Sequence, residues 1–176
     1  MVTQKNYAAL PRQKPLKVKA TASPTVAEAG ETADGDPHMT IYSTVLTNDF
    51  ISTWTTGEPG ATIPWHSHSP EMYQVLFNVE GRCRWHYKDN EGIERTIDGN
   101  PGEVIYLPAG AENKVEVIGE EQHTHIGALK RPRVPRLEHL LGDTEGLYDH
   151  TEFPAALVYD DMNDRVVRQV DSALVD

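Results

Sequence analysis

The chain contains one cysteine, Cys83, among 176 residues. It therefore forms no internal disulfide, and no thiolate zinc cluster. No apolar run approaches the roughly 18–20 residues that a membrane helix needs, which excludes a spanning helix. Aromatic residues make up only 7% of the chain, but the hydrophobic fraction of 38% is too high for wholly disordered sequence. The length suits one domain with a real core and is short for two. No apolar stretch follows the first lysines, so no secretory signal is read and the expected setting is a reduced cytoplasm.

Acid is missing from residues 1–20, which carry Lys5, Arg12, Lys14, Lys17 and Lys19. The whole chain carries 16 basic against 27 acidic residues, a net charge of -11, and five of the basic ones lie in this segment, leaving 11 against 27 in the rest. A chain this acidic repels nucleic acid, so no nucleic-acid partner is expected. The surface charge also suits a salt-rich source. A second basic cluster runs from Lys130 to Arg136.

Residues 21–37 are small, polar and punctuated by Gly and Pro, and read as a flexible linker. Residues 1–37 thus form an N-terminal arm. Within it, the alternation in PLKVKA predicts an edge strand at 14–20 whose lysines discourage edge pairing. From Met39 the texture changes to short β-rich runs: MTIYSTVL, DFISTWTT, ATIPWHSH, EMYQVLFNV, RCRWHYK, ERTI, EVIYL, KVEVI and HTHIGAL. Their 8–12-residue spacing, without intervening helices, predicts an all-β antiparallel sandwich or barrel over residues 38–130. Residues 131–176 form a C-terminal extension. In it Val166, Val167, Val170, Ala173 and Leu174 share one face of a predicted amphipathic helix over 163–174, capped by Asp161 or Asn163. An arm strand and an amphipathic helix both leave apolar surface to cover, which predicts a homodimer.

The stretch from Gly60 to His68, GATIPWHSH, carries the chemistry. Two histidines two apart on a strand point to one face, where both imidazoles can reach one ion. Neutral imidazole is the common ligand of divalent Fe, Mn, Ni, Cu or Zn. A second block, GEVIYLPAG, runs from Gly102 to Gly110.

Together these blocks resemble the two motifs of the cupin superfamily, a jelly-roll barrel. The first reads G-x5-H-x-H-x3-4-E-x6-G, the second G-x5-P-x-G-x2-H-x3-N. Gly60, His66 and His68 match the first half of motif one; Gly102, Pro108 and Gly110 match the first half of motif two. The resemblance covers about residues 40–129. It implies a single cupin jelly roll with metal ligands at His66 and His68.

Two departures bear on the site. The family's glutamate falls at Met72 or Tyr73, so its role passes either to Gln74, in register with Gly81, or to Glu71. Motif two places Asn113 where the family has histidine. His125, on the next predicted strand, is an additional candidate ligand beside Asn113. Trp65, Tyr73 and Arg84 are the expected substrate contacts, and Cys83 reads as a small buried apolar residue. No nucleophile–base pair, phosphate loop or dinucleotide fingerprint is present.

The resemblance implies a small metal-binding cupin, an oxidoreductase of dioxygenase type acting on a small organic substrate in the barrel. The alternatives are a cupin lyase or isomerase, or a non-catalytic cupin that holds a small ligand. No membrane partner is expected.

Overall fold

The computed structural model describes residues 17–23, 25–29, 37–47, 49–68, 70, 72–130, 156–160 and 165–169. A 3-10 turn at Ala20–Ala22 precedes β1 (Thr25–Ala29), β2 (Met39–Leu46), β3 (Phe50–Gly57), β4 (Thr62–His66), β5 (Gln74–Glu80) and β6 (Arg82–Lys88). Then follow β7 (Glu94–Gly99), β8 (Val104–Leu107), β9 (Asn113–Ile118), β10 (His123–Lys130), β11 (Leu157–Asp160) and β12 (Arg165–Gln169). Among the described residues there is no α-helix.

The strands form two sheets. The larger has the order β12-β11-β2-β3-β10-β5-β8, with β1 added on β2; the smaller has the order β4-β9-β6-β7. Between β3 and β10 the chain crosses from one sheet to the other at every step except β6 to β7, which is the crossing pattern of a jelly roll. All described pairs are antiparallel except β11 on β2. One crossing, from β5 to β6, passes through Gly81 at φ +62, where an added Cβ would run into the backbone of Gln122 and His123. Glycine is needed there for both reasons.

The core sits between the sheets and follows the period-2 pattern. On β6, Cys83 and Trp85 are buried while Arg82 and Lys88 are exposed; on β9, Val115 and Val117 are buried. They pack with Met39, Ala61, Leu76, Ile105 and Leu107. Each large apolar side chain in this set contributes about 1.5–3 kcal/mol through burial. The nine β runs of the barrel therefore fold as the sequence predicts, and Cys83 is the buried residue it was read to be.

The flanking segments differ from expectation. Within the stretch read as a linker, Thr25–Ala29 pairs antiparallel with β2, because an open β2 edge offers backbone partners that a polar sequence can still use. Lys17–Lys19 belong to no strand, so the expected edge strand is absent over these residues, and 14–16 lie outside the described residues. At the C-terminus, Arg165–Gln169 is strand β12, not helix, paired from Leu157↔Gln169 to Asp160↔Arg165. A run with two adjacent β-branched valines suits a ladder, and sheet pairing overrides the helical spacing. The rest of the predicted helix lies outside the described residues.

Candidate functional site

Strand β4 ends at His66, directly opposite Asn113, the first residue of β9, and Asn113 in turn faces Tyr87 on β6. Residues 67–73 then carry the chain to the other sheet, where β5 begins at Gln74. Strand ends and register thus gather His66, His68, Gln74 and Asn113 at one end of the barrel.

The His66 and His68 rings meet edge to face, with centroids 5.1 Å apart and planes at 84°. His66 Nδ1 lies 2.8 Å from the Pro64 carbonyl oxygen. A carbonyl only accepts, so Nδ1 carries a proton, and Nε2 is the nitrogen left to offer a lone pair to a metal. Burial, helped by the neighbouring His66, pushes His68 down to about 4, so its imidazole is neutral at pH 7. The His68 ring is therefore in the form that binds metals, and the Pro64 contact leaves His66 Nε2 as the nitrogen that could face an ion.

Gln74 is buried and shares the inward phase of Leu76 on β5. Asn113 is also buried, and its Nδ2 donates to the Ala111 carbonyl at 3.0 Å, which orients the amide. Its Oδ1 is buried with no hydrogen-bond partner. Leaving such an acceptor unsatisfied costs about 1–3 kcal/mol, and a cation bound beside His66 would satisfy it. Two imidazoles and an orphaned amide oxygen fit a divalent metal, with the Gln74 amide as a further oxygen donor. The set contains no carboxylate. Among the described residues no three His, Cys, Asp or Glu side chains gather into a metal cluster, so the amides decide whether this site is complete. Glu71, the alternative to Gln74, lies outside the described residues.

His125 does not join this group. It faces Thr55 and Asn78 in the larger sheet, while Leu129, four residues further along β10, faces Gln74. At about 3.3 Å per residue that separates His125 from the Gln74 level by roughly 13 Å. Its partner is His123 instead. His123 Nδ1 approaches the Glu80 carbonyl at 3.1 Å, and His123 Nε2 lies 3.0 Å from His125 Nδ1. The carbonyl fixes the proton on His123 Nδ1, so His123 Nε2 accepts from His125 Nδ1–H. Burial lowers both, His125 to about 3, and the two stay neutral inside the barrel against Trp85. The same-face spacing of these histidines was legible; their mutual bond was not.

The three expected substrate contacts lie outside the barrel. Arg84 is on the outward phase of β6, where its Nε and an Nη donate to the two Asp98 oxygens at 2.7 and 3.0 Å. That pairing holds the Asp98 carboxyl below its usual range. Trp65 is on the same outer side, its ring beside His86 and under Lys88 Nζ. Tyr73 stacks at a tilt with Tyr106 on the outer face of the larger sheet. Aromatic and basic composition suggested a ligand wall, but strand phase turns all three away.

A jelly roll with a two-histidine rim defines the class. Residues 53–126 match the family model described as a cupin domain. Over this stretch the chain is similar to the cupin family. Among solved structures, one described as a predicted oxalate decarboxylase from Thermotoga maritima is similar with a TM-score of 0.53 at 12% identity, covering 66% of this chain and 100% of that one. Oxalate decarboxylase from Bacillus subtilis is similar at 0.50 and 21% identity, over 63% of this chain and 28% of its own. The cupin domain of Schizosaccharomyces pombe Cnp3 gives 0.48 at 14% identity, over 53% of this chain and 65% of that one. The aligned part is thus less than two thirds of the last two chains. No curated protein matches the chain.

Proposed function

We propose that the protein is a metal-dependent cupin, an oxidoreductase of dioxygenase type, whose site is the barrel rim at His66, His68, Gln74 and Asn113. The observation that carries this reading is the buried, unpartnered Asn113 Oδ1 opposite His66. A bound Fe, Mn, Ni, Cu or Zn ion would supply Lewis acidity and open coordination positions there. His66 binds through Nε2, held in that tautomer by Pro64, and His68 through a ring kept neutral by burial. Because no donor is a carboxylate, the rim does not offset the cation's charge and favours an oxygen-bearing or anionic substrate. Trp85, Leu107 and Val115 fill the barrel beneath, which restricts the substrate to a small molecule at the rim.

Calorimetric titration of the full chain, purified without a histidine tag, with Mn(II) and Fe(II) tests the ion. Oxygen uptake by the loaded protein with small hydroxylated aromatic compounds tests the reaction. Metal binding together with oxygen uptake supports the reading. No binding of either ion, nor of Ni(II), Cu(II) or Zn(II) titrated in the same way, overturns it.

A second reading is a cupin that holds a small ligand without turnover. It rests on Gln74 and Asn113, amides where the family has a carboxylate and an imidazole, which weaken hold on a transition metal. Ligand binding without oxygen uptake or any product favours it.

A further inference from the structure

One row of the smaller sheet runs through the rim and past it. His66 faces Asn113, Asn113 faces Tyr87, and Tyr87 faces Arg95. Residues directly opposite in an antiparallel ladder project from the same face. Asn113 is buried in the barrel, so Tyr87 and Arg95 belong to the inner face with it. The other phase of the β6–β7 hairpin lies outside, where Arg84 pairs with Asp98 and His86 with Glu94. Arg95 is held in place through one nitrogen. Its Nε donates to Asp89 Oδ2 at 3.0 Å, while Asp89 Oδ1 accepts from the backbone N–H groups of Glu91 and Ile93, both at 2.9 Å. The β6–β7 turn thus anchors the guanidinium at the rim end of the barrel. Among the described residues, neither Nη of Arg95 nor the Tyr87 hydroxyl has a hydrogen-bond partner. Ile97, on the same inner phase of β7, is 46% exposed, so this flank of the barrel is open to a ligand.

We propose that Arg95 and Tyr87 form an anion subsite beside the metal donors, and that the substrate is a small carboxylic acid carrying a second oxygen at its far end. The proposal rests on the metal reading above and names the substrate class of that same site. A guanidinium fork with both Nη groups open matches a carboxylate bidentately, and the phenol adds one more donor. Asp89 keeps the fork oriented without occupying it. The span is set by the ladder. Two strand spacings of about 4.8 Å put Arg95 roughly 10 Å from Asn113 at the backbone, and inward side chains shorten that distance. A single aromatic ring, with a carboxylate at one end and a hydroxyl at the other, bridges such a gap. An acid whose two oxygen groups sit on adjacent carbons is too short to reach both ends. Arg95 and Tyr87 thus take the recognition role that residue type alone assigns to Arg84 and Tyr73, because their strand phase points them inward.

Calorimetric titration of the metal-loaded full chain at pH 7 with 4-hydroxybenzoate, and with its uncharged amide 4-hydroxybenzamide, tests it. The metal content of each sample is measured alongside. The wild type should bind the acid at least tenfold more tightly than the amide. Arg95→Gln should lose that preference, and Tyr87→Phe should weaken binding of the acid about threefold, both at unchanged metal content. Arg84→Gln, on the outer face, should alter neither affinity. The acid–amide comparison on the wild type needs no variant to fold. No binding of the acid, equal binding of acid and amide, or an acid affinity indifferent to Arg95→Gln overturns the subsite. A wild type that takes up no metal overturns the metal reading instead, and the same comparison on the metal-free chain then decides the subsite.

Discussion

His66 and Asn113 face each other across the β4–β9 ladder, one with its Nδ1 tied to the Pro64 carbonyl and its Nε2 left over, the other with a buried carbonyl oxygen that has no partner. This juxtaposition places a donor from each cupin motif at the same end of the barrel. It also sets the limit of the site, because an amide oxygen is a weaker partner for a transition metal than an imidazole.

Asn113→His should therefore tighten binding. Replacing the amide with imidazole at this register position should lower the dissociation constant for Zn(II) or Ni(II) by about tenfold, equivalent to ~1.4 kcal/mol. Titration calorimetry of the two proteins reads the difference directly. Equal or weaker binding in the variant would place Asn113 away from the ion.

The buried His123–His125 pair makes stability depend on pH. Both pKa values are lowered in the folded state, so the unfolded chain binds more protons below its ordinary value of about 6.5. Their stabilising effect is complete above that value and is lost as pH falls from about 6.5 toward about 3. Denaturant melts at several pH values should show this slope in the wild type. In His125→Leu the slope should be smaller by about one proton.

Cys83 should be unreactive in the native protein. Burial raises its thiol to about 11, and its Sγ lies 3.5 Å from Asn78 Oδ1. The thiolate is the nucleophile, so a disulfide reagent at pH 8 should modify Cys83 only on unfolding. Rapid native labelling would show that the barrel opens at this point.

Leu76 packs among the core residues between the sheets and is almost fully buried. Leu76→Ala should destabilise the fold by about 2–5 kcal/mol in chemical denaturation, through lost burial and the cavity left behind.

The sequence revealed the barrel because its strands obey one rule, short apolar runs cut by turn residues. It revealed His66 and His68 because two residues on one strand share a face whatever the partner strand. What it hid depends on pairing between distant strands. Only the β4–β9 register sets Asn113 beside His66, and only the β10–β5 register takes His125 away to Asn78. Trp65, Tyr73 and Arg84 suit a ligand wall by residue type, but strand phase turns them outward. For Tyr73 the signal was available, since the β5 residues Val75, Phe77 and Val79 share its phase and Gln74 does not. Strand β12 stayed hidden because the RVVRQ segment fits both a helical and an extended pattern, and pairing with β11 decides between them.

The central claim is that His66 and His68 hold a divalent ion at the barrel rim. Its most direct test is the metal content of the full chain, expressed without a histidine tag in medium supplemented with Mn, Fe, Ni, Cu and Zn, and measured by inductively coupled plasma mass spectrometry beside His66→Ala. The account predicts close to one ion per wild-type chain and background levels in the variant. A wild type that takes up no metal, or a His66→Ala protein that keeps a full complement, would contradict it.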